Sequence, residues 1–267
     1  MEKYGQIVLS LEDSIARIEL NRPNVRNAFD DVLIAELTQA LEEIAQNEKI
    51  RVLILSGRGK VFCAGADLNW MRRMKDFKYE ENFEDSLCLA RLFHRLYTMP
   101  IPTIAKVHGA AIGGGVGLVA ASDLVIASAS TIFSLSEVRI GLVPACISPY
   151  LLKRVNPGML RGYFLTGTRF SATRAKEIGL VNEVVAVDQL DQTVEKLVEN
   201  ILACGPRALK MAKELLERVP TMEFKESMEY TARVIADLRI GEEGQEGLSA
   251  FLEKRKPSWT KGEKSKS

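Results

Sequence analysis

A chain of 267 residues, 46% hydrophobic and 27% charged, has enough material to bury a sizeable core and the composition of an ordinary soluble globular protein. Its formal charge of +1 offers no electrostatic basis for binding nucleic acid. No uninterrupted apolar run approaches the roughly 20 residues needed to span a membrane, so no membrane partner is expected.

The opening residues, Met1-Glu-Lys-Tyr-Gly-Gln6, lack the charged start and apolar block of a signal peptide, and a cytoplasmic location is expected. Gln6-Ile-Val-Leu-Ser-Leu11 and Ser14-Ile-Ala-Arg-Ile-Glu-Leu20 read as paired strands around the polar turn Glu12-Asp13. Val32, Ile34, Leu37, Leu41 and Ile44 recur at near-helical spacing, which predicts a helix over 30–47. Arg51-Val-Leu-Ile-Leu-Ser-Gly57 is a short apolar run closed by glycine, the pattern of a buried strand. Pro102-Thr-Ile-Ala-Lys-Val-His108 and Leu124-Val-Ile-Ala127 repeat it. Strands interleaved with helices predict an α/β architecture with right-handed crossovers. From about residue 188 the pattern is helical, with Gly205-Pro206 and Val219-Pro220 as breaks. The expected division is a core over 1–190, a helical region over 191–260 and a polar, disordered tail over 261–267. Cys63, Cys88, Cys146 and Cys204 form no CxxC pair and no ligand spacing. They are expected to be reduced, small core residues, with no metal.

Two glycine-rich segments follow buried strands: Gly57-Arg-Gly-Lys-Val-Phe-Cys-Ala-Gly-Ala-Asp-Leu68 and His108-Gly-Ala-Ala-Ile-Gly-Gly-Gly115. Small residues at a strand exit let backbone N–H groups approach a ligand closely. Two such groups aimed at one point make an oxyanion hole, although either segment alone is more often a tight turn or close helix packing. Neither matches GxGxxG or a P-loop, which disfavours nucleotide phosphate chemistry. Several other residues read as structural. His108 packs or orders the glycine turn, His94 lies on a helical stripe, and Asp123 orients the strand that follows it. Trp70, Met71 and Met74 are either core or the apolar wall of a pocket. The basic run Lys254-Arg-Lys256 reads as a solvated helix end.

The pairing of Phe62-Cys-Ala-Gly-Ala-Asp-Leu68 with Gly109-Ala-Ala-Ile-Gly-Gly-Gly115 resembles the enoyl-CoA hydratase/isomerase (crotonase) superfamily. Asn21-Arg-Pro-Asn-Val-Arg-Asn-Ala28, Phe164-Leu-Thr-Gly-Thr-Arg-Phe-Ser-Ala172, Ala175-Lys-Glu-Ile-Gly-Leu-Val181 and Ser249-Ala-Phe-Leu-Glu-Lys-Arg-Lys256 extend the resemblance from about residue 5 to 259. It implies a spiral of ββα units followed by a helical C-terminal trimerisation region, as a homotrimer or a dimer of trimers. The implied substrate is an acyl-CoA thioester, with no cofactor beyond the coenzyme A that the substrate carries. The two N–H donors fall on Ala66 and Gly114, holding the thioester oxygen as it gains enolate character. Ala64, Gly65, Asp67 and Leu68 would flank the adenine and pantetheine path. Val25 and Arg26 fit a loop along the CoA, and Lys254 would reach its phosphate.

Glu137, in Phe133-Ser-Leu-Ser-Glu-Val-Arg-Ile-Gly-Leu-Val-Pro144, matches the family's second catalytic glutamate, although by itself it reads as a strand-end carboxylate paired with Arg139. A glutamate in an apolar run should have its proton affinity raised. The first glutamate of the two-glutamate hydratases maps onto Gly117. The missing side chain there is expected to open volume for a branch or a second carboxylate on the acyl group. One carboxylate supports either hydration of a 2,3-enoyl-CoA or isomerisation from Δ3 to Δ2. The run Ser136–Tyr150 looks more like bacterial hydratases assigned to branched substrates such as methylglutaconyl-CoA, which ranks hydration first. Dehalogenase and thioester-hydrolase variants rank lower, because no distinct nucleophile stands out. A catalytically silent acyl-CoA-binding protein is the reading from another class.

Overall fold

Twenty helices and strands order the chain, and the computed structural model describes residues 4–260. The tail expected to be disordered lies outside the described residues. The first strands, β1 (Ile7–Glu12) and β2 (Ile15–Leu20), pair antiparallel, and Asp13 takes the left-handed conformation of the tight turn between them. Next comes α1 (Asp31–Gln46), which starts because Asp30 caps it, its carboxylate accepting from Leu33 N at 2.8 Å. Its buried stripe is Leu33, Ile34, Leu37, Leu41 and Ile44, whereas Val32, counted with the stripe in the sequence, is exposed.

The chain continues through β3 (Val52–Gly57), α2 (Leu68–Met74), α3 (Tyr79–Tyr97), β4 (Thr103–Val107), β5 (Ala110–Ile112), α4 (Gly114–Ala121), β6 (Leu124–Ser128) and β7 (Ile132–Ser134). It then forms α5 (Ser148–Arg154), α6 (Pro157–Thr166), β8 (Phe170–Ser171), α7 (Ala172–Glu177) and β9 (Glu183–Val185). Six strands make one sheet in the order β1-β2-β3-β4-β6-β9, parallel except for the first pair. Central β3 is buried along its length except at Gly57, as a strand covered on both faces must be. A second sheet, β5-β7-β8, holds the short strands, and β5 forms inside the segment that the sequence presents as a glycine turn. Asp123, expected to orient the strand that follows it, instead ties to β4: its carboxylate accepts from the Thr103 N–H and hydroxyl at 2.7 and 2.9 Å.

The last helices are α8 (Leu190–Leu202), α9 (Pro206–Arg218), α10 (Phe224–Ile240) and α11 (Glu242–Leu252). Pro206 stands at the first turn of α9, where its missing N–H costs nothing. Two compact units result: one runs to Met99 and from Thr103 to Glu195, and the other joins Pro100–Pro102 to the chain from Lys196 on. No helix among the described residues is long and apolar enough to cross a membrane.

Candidate active site

Short bridges between distant segments assemble the site. Cys63 N donates to Ala110 O and Ile112 N donates to Cys63 O, both at 3.0 Å, so the two glycine-rich segments run side by side. Phe29 N donates to Gly65 O at 2.7 Å, and Asp67 N donates to Phe29 O at 2.8 Å. Residue 66 lies between those bonded partners, and in a parallel bridge such a residue turns its own N–H to the opposite side. Gly114 is the first residue of α4, where backbone N–H groups have no partner within the helix. Among the described residues neither the Ala66 nor the Gly114 N–H has an intramolecular acceptor. Both residues line one cavity of about 580 Å³ in the first unit. Such donors, one of them at the positive end of a helix, suit an oxygen that gains negative charge.

Glu137 lies in a 3-10 turn spanning Ser136–Ile140, so the alternative reading of it as a strand-end carboxylate does not hold. The pairing with Arg139 is absent, since the Arg139 guanidinium donates instead to Thr166 O at 3.2 Å. The Glu137 carboxyl turns into the cavity, and its Oε2 is buried without a hydrogen-bond partner. A Cβ at Gly113 would lie 3.0 Å from Glu137 Oε1, which puts the carboxyl directly against the residue before Gly114. Gly113 has φ of 52°, a left-handed geometry that favours glycine. Burial raises the Glu137 pKa above its usual range, against a smaller opposing contribution from its own backbone N–H.

The rest of the cavity wall is mostly apolar, with Asp85, Ser86, Ser136 and Cys146 as its other polar or titratable members. Trp70, Met71 and Met74 stand on it, which settles the choice that periodicity left open, although Trp70 is also core with 4% exposure. Gly117 is not part of the wall. It is buried in α4, and a Cβ there would overlap Ile147 Cγ2 and come within 2.8 Å of the Phe93 ring. The expected open volume at 117 is therefore filled by packing.

The remaining expected residues are distributed as follows. Ala64 and Gly65 line the cavity, and Ala64 N donates to Arg26 O at 3.0 Å, which docks the 23–26 turn beside them. Val25 is 41% exposed, and Arg26 is exposed and left-handed at φ 57°. Asp67 is committed internally: its carboxylate caps α2 through Asn69 N and Trp70 N and pairs with Arg22 at 3.2 Å. Desolvation pushes the Asp67 pKa up, but those backbone donors and Arg22 outweigh it and hold the group below its usual value. Leu68 is exposed, and neither it nor Asp67 lines the cavity. Lys254 belongs to the second unit, just past α11, with φ of 54°. His108 orders the 57–61 loop, donating to Gly59 O at 3.0 Å. Of the cysteines expected in the core only Cys63 is buried; Cys88 and Cys204 are exposed, and Cys146 borders the cavity.

One cavity residue escapes sequence reading. Asp85, on α3, faces the same space and accepts from Trp70 Nε1 at 3.1 Å. It sits in the acidic first half of a helix among ordinary solvated carboxylates, and no motif separates it from them.

Two free backbone donors and a buried, unpartnered carboxyl in one apolar cavity define a class of enzyme that stabilises an oxyanion while moving a proton. A family model described as Enoyl-CoA hydratase/isomerase matches residues 10–262. The chain is 37% identical to a Thermus thermophilus protein provisionally assigned as an enoyl-CoA hydratase, over 91% of this chain and 96% of that one. It is 30% identical to the short-chain-enoyl-CoA hydratase of Clostridium acetobutylicum, covering 95% of this chain and 97% of the relative. A crystal structure of an enoyl-CoA hydratase from Shewanella pealeana superposes with a TM-score of 0.93 at 40% identity, covering 96% of this chain and 97% of that one. The chain belongs to the enoyl-CoA hydratase/isomerase family, whose members act on acyl-CoA thioesters. Its fold is the crotonase fold expected from the motifs.

Proposed function

We propose that the protein is an enoyl-CoA hydratase that adds water syn across the 2,3-double bond of a short or branched enoyl-CoA. The observation that carries this reading is the Glu137 carboxyl, buried and unpartnered at Oε2, lying against Gly113 beside the free Gly114 N–H. The Ala66 and Gly114 N–H groups hold the thioester oxygen and stabilise the enolate as charge develops on it. Glu137 exchanges a proton with C2, and the raised proton affinity suits a group that both gives and takes one near neutral pH. Coenzyme A is part of the substrate and no separate cofactor enters. Val25, Arg26, Ala64, Gly65, Asp67 and Leu68 border its path, with Asp67 acting through the backbone it organises; Lys254, in the second unit, is the residue that the family resemblance assigns to the CoA phosphate.

The acyl chain runs along Met71, Met74, Leu142 and Val143. A branch is accommodated there and not at Gly117. The Clostridium relative named for short chains supports the lower end of the size range. Phe224, Ile240, Phe251 and Leu252, each at least 77% exposed on the last helices, support a homotrimer or a dimer of trimers through burial of those side chains. The four cysteines, none in a disulfide among the described residues, suit a reducing cytoplasm.

Isomerisation from Δ3 to Δ2 is the second reading, favoured by the packing that excludes a carboxylate at 117. The test compares hydration of crotonyl-, tiglyl- and 3-methylglutaconyl-CoA with isomerisation of 3-hexenoyl-CoA, in wild type and Glu137→Gln. Hydration should dominate, and the variant should lose about 10² to 10⁴ in kcat. Dominant isomerisation refutes the hydratase, and tight acyl-CoA binding without turnover identifies a silent binder.

A further inference from the structure

Hydration moves two protons, one from water and one to C2, and the wall of the cavity carries two carboxyl groups. Glu137 is one and Asp85 the other, the only acidic residues lining it among the described residues. Asp85 is held in place: its Oδ1 accepts from Trp70 Nε1 at 3.1 Å, and no hydrogen bond among the described residues engages its Oδ2. The chain beside it also meets the segment that packs against Gly117. The neighbouring Ser86 carbonyl accepts from Cys146 Sγ at 3.5 Å, and Ile147, next along the chain, fills the place of a 117 side chain. A second carboxyl thus reaches the cavity from α3 where α4 cannot supply one.

We propose that the Asp85 carboxylate holds the water that adds at C3 and takes its proton, while Glu137 gives its own proton to C2. The inference rests on the hydratase reading above. The C3–O bond forms as one O–H bond of water breaks, and that proton goes to Asp85. The C2–H bond forms as the Glu137 O–H breaks, and the enolate electron pair moves to C2. Asp85 then releases a proton to solvent and Glu137 takes one up, so no other reagent is consumed. The charged and titratable groups around Asp85 are Asp31 on α1, Arg73 on α2, which is paired with Asp31, and Cys146. Burial raises the Asp85 pKa, as does Asp31, while the Trp70 hydrogen bond and Arg73 oppose the rise; the net direction is upward, which strengthens it as a base.

The test pairs two reactions on wild type, Asp85→Asn and Glu137→Gln. One is hydration of crotonyl-CoA, and the other is exchange of the α-protons of butyryl-CoA into D₂O, which needs no added water at C3. Asn keeps the shape of Asp85 and the acceptor for Trp70. Asp85→Asn should lose about 10²-fold in hydration kcat, keep exchange close to wild type, and lack one ionisation on the acid side of the kcat/KM profile. Glu137→Gln should lose both reactions. Hydration close to wild type in Asp85→Asn overturns the proposal and leaves the hydratase reading standing. Equal loss of both reactions in that variant overturns it in favour of a structural role through Trp70. A wild type that exchanges but never hydrates overturns both readings together.

Discussion

Ile147 Cγ2 stands where a side chain on Gly117 would begin, and the Phe93 ring closes the same space from α3 at 2.8 Å. The absence of a carboxylate at this position is therefore a packing arrangement among α3, α4 and the segment leading into α5. Phe93 is completely buried and Ile147 is 3% exposed, so neither can yield without moving the helix that carries or follows it.

Gly117→Glu should then destabilise the fold and leave the chemistry unimproved. Overpacking a filled core position costs about 1–3 kcal/mol, and an unpaired carboxylate adds to that. Thermal unfolding should show a lower Tm, together with reduced soluble yield. An unchanged Tm with faster hydration would sink the packing account.

Gly113→Ala should reduce activity more than stability. The left-handed backbone disfavours a side chain by about 1–2 kcal/mol, and the new methyl would press on Glu137 Oε1. We expect kcat to fall with KM little changed, as measured by steady-state hydration. A variant that loses KM alone would place the methyl effect on substrate binding, not on the carboxyl.

Glu137→Gln should be at least as stable as wild type at neutral pH. The folded pKa of Glu137 is raised above the ordinary 4.5, so its favourable contribution belongs to the protonated form. That contribution is present below the unfolded pKa and is lost as pH rises through the folded one. The Tm gap between variant and wild type should be small near about pH 4 and widen toward neutrality in favour of Gln. A gap that shrinks as pH rises contradicts the burial argument.

Asp67→Ala should show the opposite pH trend. Loss of an N-cap costs about 0.5–2 kcal/mol, and Arg22 would keep Asp30 as its only carboxylate partner. The folded pKa of Asp67 lies below the ordinary 3.8, so its contribution is present above the unfolded pKa and lost as pH falls through the folded one. Chemical denaturation should show the largest deficit at neutral pH, narrowing in acid. A deficit independent of pH would assign the whole effect to helix capping without the charge.

Paired strands around a polar turn, short apolar runs and near-helical spacing in the sequence were sufficient for β1 through β4, for α1 and for the helical run after Leu190, because each pattern is local. The segment 109–113 was harder. Its three strand residues pair with Ile132–Ser134 and bridge to Cys63, contacts set by distant partners and not by propensity. The turn around Glu137 is hard to read for a related reason: an apolar run with one glutamate also fits a strand, and the structure closes it into a 3-10 turn capped by Gly141. Asp85 carried no signal, since its Glu- and Asp-rich neighbourhood looks like solvated helix until Trp70 is seen to hold it.

By itself the sequence determined the family, through ordered motifs whose glycines and alanines leave two backbone donors uncovered, and it singled out Glu137. The tertiary structure alone decided what surrounds that glutamate. It filled the space beside Gly117, turned Asp67 inward to Arg22, and brought Asp85 to the cavity wall. These outcomes depend on which side chains from remote segments meet in three dimensions, and close packing admits one occupant per site, a constraint that spacing along a chain does not record.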